Sequence, residues 1–189
     1  GIWCVPKYSN PTGIVYSDET VRRLATMSTA APDFRMFWDN AYAVHTLAEE
    51  PAPIADLLAL ATDAGNADRV FVFGSTSKIT LAGAGVAFLG ASPANLAWWL
   101  AVTSKRTIGP DKTNHLRHVM FLRDTAGVTA HMAKHRAIIK PKFDALEKKL
   151  AEFPNITVPT ITLQGDADGA PRPDPSVYAK KFSGKYQHR

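Results

Sequence analysis

Four short segments hold the side chains best able to do chemistry. Ser9-Asn10-Pro11-Thr12-Gly13 places an amide and two hydroxyls in a tight turn. Asp39-Asn40-Ala41-Tyr42 puts a carboxylate three residues before a phenol. Gly74-Ser75-Thr76-Ser77-Lys78 ends a run of hydroxyls on a primary amine, and Gly83-Ala84-Gly85 follows it. A lysine amine can attack a carbonyl or carry a proton for a substrate, and clustered hydroxyls and backbone amides suit an anion. Each segment alone has a plainer reading. Asn-Pro-x-Gly is a common turn, an aspartate after a strand often caps a helix, and a serine-rich turn ending in lysine is usually a solvated loop.

Their order along the chain argues for the first reading, because each follows a predicted strand. An apolar strand opens the sequence at 1–6. Ser17, ahead of Asp18 and Glu19, starts a helix that Val21, Leu24, Ala25 and Ser28 continue. Phe34–Trp38 reads as a buried strand. A helix is expected from Ile54 to Ala64, stopped by Gly65-Asn66, and Arg69–Phe73 is the next strand. This alternation is the βαβ rhythm of an α/β fold with a mostly parallel sheet and flanking helices. Such sheets bind ligands at the carboxyl ends of their strands, where these segments fall. Beyond Lys78 the pattern predicts a strand at 86–89 and helices opened by Ser92-Pro93 and by Gly109-Pro110-Asp111. A long helix follows from about Thr125 to Phe153, with an apolar stripe of Val128, Met132, Ile139, Phe143, Leu146 and Leu150, and Pro141 is expected to kink it.

The combination resembles the fold type I pyridoxal-phosphate enzymes, specifically the class I aminotransferases, over residues 1–142. Gly-Ser-Thr-Ser-Lys-Ile-Thr-Leu-Ala-Gly-Ala-Gly and Trp-Asp-Asn-Ala-Tyr-Ala-Val-His are similar to an aspartate aminotransferase branch grouped with MocR-like proteins. The resemblance implies pyridoxal 5'-phosphate as cofactor and Lys78 as the catalytic amine that holds it as an imine and then moves the substrate proton. It implies Asp39 beneath the ring nitrogen, Asn10 and Tyr42 on the phenolic oxygen, and Ser75 and Ser77 on the phosphate. It also implies amino-acid and 2-oxo-acid substrates, with aspartate or glutamate as donor, and a homodimer when intact. Pro11 is expected to follow a cis peptide bond. One departure is that many relatives carry an arginine eight residues after the lysine, where Val86 stands here.

A second resemblance covers residues 144–189. Val158–Gly169 is similar to the late strand and acid turn of an α/β-hydrolase, with Asp168 in the place of the triad acid. No Gly-x-Ser-x-Gly elbow occurs in the sequence, so hydrolase activity is a remote alternative. The expected organisation is a partial cofactor-binding large domain at 1–142 and an unrelated tail at 143–189, joined near Phe143–Glu147. The absence of an initial Met and the abrupt ending predict a segment of a longer reading frame. A truncated or chimeric, catalytically inactive chain is therefore the main alternative to a working transaminase.

Bulk properties fit these readings. The 189 residues are 46% hydrophobic, enough for a core, and the formal charge is +5. Eleven basic residues stand against four acids from Lys105 to Lys149, yet no aromatic interleaving suggests nucleic acid, and a solvated helical face is expected. His115/His118 and His131/His135 have spacings that could hold zinc, but without accompanying ligands they too read as a partly solvated face, with no metal expected. Trp98 and Trp99 read as packing residues. Cys4, the single cysteine, is expected to be an inert buried thiol in a cytoplasmic protein. No apolar run approaches the roughly 20 residues of a membrane span.

Overall fold

A computed structural model of the chain describes residues 1–152, 160–162 and 186–188. The chain divides into two units, Gly1–Ala137 and Ile138–Arg189.

The first unit is built on a four-stranded sheet. β1 (Ile2–Cys4), β2 (Met36–Asp39) and β3 (Val70–Ser75) run parallel, and β4 (Ala87–Ala91) joins β3 antiparallel, in the order β1-β2-β3-β4. The mixed α/β architecture with a mostly parallel sheet is therefore as expected. The reversal at β4 follows from its connection. Parallel neighbours need a crossover of about a dozen residues or more, usually helical, whereas residues 76–86 turn back directly. β4 begins one residue later than the predicted strand and extends to Ala91.

Helices α1 (Asp18–Thr26) and α2 (Leu57–Asp63) supply the crossovers between the parallel strands. Ser17 caps α1 by accepting from the Thr20 amide, and Asp56 caps α2 through the Ala59 amide. Asp56 thus fixes a later start than the expected Ile54. Asp18 also accepts from the Ala55 amide at 3.0 Å, tying the start of α1 to the approach to α2.

Alternation along the strands gives the sheet two unlike faces. Cys4, Met36, Trp38 and Val70 face Val21, Ala25, Leu57 and Ala61 of the two helices, and all eight are buried. On the other face aromatic rings lie in a row. Trp3 stacks on Phe37 at 5.4 Å and on Phe73 at 5.7 Å, and Phe37 lies 5.9 Å from Phe71.

Three helices follow the sheet: α3 (Pro93–Thr103), α4 (Lys112–Leu122) and α5 (Thr125–Glu152). Ser92 and Asp111 cap the first two, as the sequence predicts. Trp98 meets Phe71 edge-on at 6.5 Å but stays 58% exposed, so it is only partly a packing residue. Pro141, expected to kink the helix or break it locally, lies inside α5 and does not end it. Proline forfeits one helical hydrogen bond and crowds the carbonyl four residues back, and the 28-residue helix continues through that local loss. Among the described residues of its predicted stripe Met132 is buried, while Ile139, Phe143 and Leu146 are exposed. No helix among the described residues is long and apolar enough to cross a membrane.

In the second unit, β5 (Thr160–Thr162) and β6 (Tyr186–His188) pair in parallel, Ile161 opposite Gln187. Asp168 and the rest of the acid-turn segment at 163–185 lie outside the described residues.

Candidate functional site

Because β1, β2 and β3 are parallel, their carboxyl ends open on one edge of the sheet, and the candidate residues follow all three. Asp39 is the last residue of β2, opposite Phe73 in register, and Ser75 is the last of β3. Asp39 is half-buried on the aromatic face, where the indole Nε1 of Trp3 donates to Oδ2 at 3.3 Å.

Two of the candidates, Lys78 and Tyr42, come together from different loops. The Lys78 Nζ sits 4.3 Å from the centroid of the Tyr42 ring, a favourable position for a cation over an aromatic face. Tyr42 is half-buried, while Lys78 and Ser77 are exposed. The Ser77 amide donates weakly to Ser75 Oγ at 3.4 Å, so both hydroxyls belong to one tight turn. Asn10 is exposed and, among the described residues, its side chain makes no hydrogen bond to the other candidates. The Asn10–Pro11 peptide bond is cis, as expected.

Several residues that sequence reasoning passed over hold these loops together. Lys7 is 5% exposed and donates to the Ala43 carbonyl at 3.2 Å, stitching the loop after β1 to the loop after β2. His45 Nε2 lies 3.2 Å from the Lys78 carbonyl and stitches that second loop to the third. Its ring also meets Tyr42 edge-on at 5.4 Å. His45 was visible in the Trp-Asp-Asn-Ala-Tyr-Ala-Val-His motif, but nothing in the motif assigned it a partner. Burial lowers the His45 pKa, its bond to the Lys78 carbonyl opposes that fall, and the nearby His135 and Lys78 charges add to it. Two buried polar atoms in this loop, Asn40 Oδ1 and His45 Nδ1, have no partner among the described residues.

The lysine turn is fixed from behind. Thr76 is buried; its amide donates to the Val86 carbonyl at 2.9 Å and its hydroxyl accepts from the Val86 amide at 2.8 Å. Val86, where many relatives place arginine, therefore serves the turn through its backbone. Gly85 packs so closely that a Cβ there would lie 3.0 Å from Ser77 Cα and 3.1 Å from Ser77 N.

His118 and His131 lie half-exposed on their helices, and each turns a ring nitrogen toward the lysine turn. His118 Nε2 lies 2.8 Å from the Thr76 hydroxyl and 3.1 Å from that of Thr80, and His131 Nε2 lies 2.8 Å from the Ile79 carbonyl. Two clefts adjoin this region. One, of about 310 Å³, runs between β4 and α4, and the other, of about 500 Å³, between the turn after Lys78 and helices α4 and α5. Neither is lined by any of the six candidates, so both lie behind the lysine turn.

An amine, a carboxylate, a phenol and paired hydroxyls on adjoining parallel strand ends form a donor set suited to a phosphorylated pyridine aldehyde. The amine suits the aldehyde, the carboxylate a ring nitrogen, the phenol a ring oxygen and the hydroxyls a phosphate.

Residues 1–158 match the aspartate amino-transferase family. The chain is 58% identical over 156 residues to a Mycolicibacterium smegmatis protein whose name places it among the aminotransferases, covering 80% of this chain and 36% of that protein. The crystal structure of an aspartate transaminase from Corynebacterium glutamicum superposes with a TM-score of 0.76 at 49% identity, covering 78% of this chain and 35% of that one. At 23% identity, an α-aminoadipate aminotransferase from Thermus thermophilus, complexed with N-(5'-phosphopyridoxyl)-L-leucine, shares the fold with a TM-score of 0.62 over 78% of this chain and 38% of that one. The chain thus spans little more than a third of the length of the relatives it matches.

Proposed function

The chain belongs to the aspartate aminotransferase family, and from that premise we propose that it carries the cofactor-binding centre of a pyridoxal 5'-phosphate-dependent aminotransferase. The reaction moves an amino group from an amino acid, aspartate or glutamate being the favoured donor, to a 2-oxo acid. The intact enzyme is a cytoplasmic homodimer of the MocR-like branch. The observation that carries the reading is the Lys78 amine over the Tyr42 ring at 4.3 Å, on the strand edge that also presents Asp39.

When bound, the cofactor supplies an electron sink that stabilises negative charge at the substrate α-carbon. The residues divide the remaining work. The Lys78 amine would hold the cofactor covalently and, when free, would take the proton from the substrate α-carbon and deliver it to the cofactor's aldehyde carbon. The Asp39 carboxylate would keep the pyridine nitrogen protonated, because an adjacent negative charge favours the charged form. Trp3, donating to Asp39 Oδ2, holds that carboxylate in orientation. The Tyr42 hydroxyl and the Asn10 amide would stabilise the ring's phenolic oxygen, and Ser75 and Ser77 would donate to the phosphate. With Val86 in place of the common arginine, this turn would offer that phosphate hydroxyls and backbone amides.

Borohydride trapping tests the assignment. Incubation of the 189-residue chain with pyridoxal phosphate, reduction and peptide mapping should label Lys78 above all other lysines. Labelling spread evenly over the surface lysines would overturn it. Asp39→Asn should leave the Lys78 adduct in place while weakening retention of the unreduced cofactor, measured by dialysis.

A further inference from the structure

Three histidines from three separate parts of the chain converge on the five-residue turn that carries Lys78. His45, from the loop after β2, reaches the Lys78 carbonyl; His131, from α5, reaches the Ile79 carbonyl; His118, from α4, reaches the hydroxyls of Thr76 and Thr80. The contacts bracket the lysine on both sides and span 33 to 52 residues of sequence. We propose that His45, His118 and His131 form a positioning clamp that fixes the turn from Thr76 to Thr80 and, through it, the direction of the Lys78 amine. The inference rests on the reading of Lys78 as the cofactor-holding amine, but the clamp itself is a property of the cofactor-free chain.

Hydrogen-bond accounting fixes the protons. A carbonyl oxygen only accepts, so His45 and His131 must each carry hydrogen on Nε2. His118 Nδ1 lies 2.9 Å from the Asn114 carbonyl, so there the proton sits on Nδ1 and Nε2 is left to accept. The hydroxyls agree with this. Thr76 Oγ1 already accepts from the Val86 amide, leaving its own hydrogen for His118 Nε2, while Thr80 Oγ1 spends its hydrogen on the Thr76 carbonyl at 3.1 Å and shares none with Nε2. Asn114 also ties α4 to the glycine turn by donating to the Ala84 carbonyl at 2.9 Å.

At His118 the clamp uses a neutral ring. Protonation there would turn Nε2 into a donor toward Thr80 Oγ1 and leave the Thr76 hydroxyl hydrogen without an acceptor among the described residues. The charged and titratable groups around the clefts beside His118 are His115, Arg117, Arg123, His131 and His135, with Asp124 the one carboxylate. His45 faces Lys78, Tyr42 and His135. At His45, burial first and then the His135 and Lys78 charges oppose protonation.

Nitrogen-15 NMR of the histidine rings in the cofactor-free 189-residue chain near neutral pH reads the tautomers directly. The expected pattern is Nε2–H for His45 and His131 and Nδ1–H for His118. Averaged tautomers, or the opposite assignment at His118, would overturn the clamp. A second arm measures trace acetylation of Lys78 relative to the other lysines. His45→Leu should change the relative reactivity of Lys78 at least threefold, and His45→Gln, whose amide can still donate to the carbonyl, should restore it to within about twofold. Wild-type reactivity in His45→Leu would also overturn the clamp; if that variant does not fold, the wild-type ring spectra decide. Failure of pyridoxal phosphate to label Lys78 would sink the cofactor reading and leave both clamp measurements standing.

Discussion

At His45 the burial that lets the ring brace Lys78 also makes protonation unfavourable. Its pKa in the folded chain lies below its ordinary 6.5, chiefly through desolvation, so between those two values the unfolded chain binds more protons than the folded one. Stability contributed at this residue therefore rises with pH through that window and levels off above about 6.5. Thermal unfolding of wild type and His45→Gln from about pH 5 to pH 7 should show the wild type gaining relative to the variant as pH increases; a constant difference would contradict this. Gly85 makes a steric counterpart. Gly85→Ala would press a methyl group on the Ser77 backbone and should reduce the selectivity of trapping at Lys78 more than it lowers the unfolding temperature. The placement of Asp39, Tyr42 and Lys78 after successive strands was legible in the sequence because each sits in a compact motif beside a strand end. Lys7, His118 and His131 were not, because their partners lie 36 to 52 residues away. Spacing within a helix says which side chains share a face, not what that face meets.

Among the elements, capped helices and buried strands were the most readable. Ser17, Ser92 and Asp111 mark helix starts by local hydrogen bonding that needs no distant partner. The direction of β4 and the exposure of the α5 stripe were not readable, since both depend on what lies across from the element. The difference has an energetic consequence. Leu57 is 1% exposed between α2 and the sheet, so Leu57→Ala should lower the unfolding free energy by about 2–5 kcal/mol. Leu116 on α4 has the same apolar side chain but is 58% exposed, and Leu116→Ala should change stability by less than about 0.5 kcal/mol. Denaturant unfolding of the two variants checks the contrast; equal losses would mean that α4 packs more closely than its exposure implies.

Over the molecule as a whole, apolar exposure is concentrated beyond the α1–α2 core. Trp3 at 61%, Phe88 at 59%, Leu100 at 63%, Val119 at 62% and Met120 at 71% all face solvent. Apolar side chains exposed in this way favour association, because joining such surfaces removes them from water. The 189-residue chain alone is therefore expected to bind a hydrophobic dye and to associate with rising concentration, seen as an increasing sedimentation coefficient. The same exposure bears on catalysis. Lys78, Ser77 and Asn10 open to water, and electrostatic groups act most strongly where water is excluded. Trapping of pyridoxal phosphate at Lys78 should thus be detectable while turnover of aspartate with 2-oxoglutarate stays far below that of the full-length relatives. A monodisperse monomer that binds no dye and turns over at a relative's rate would show that these side chains and this amine are covered in solution.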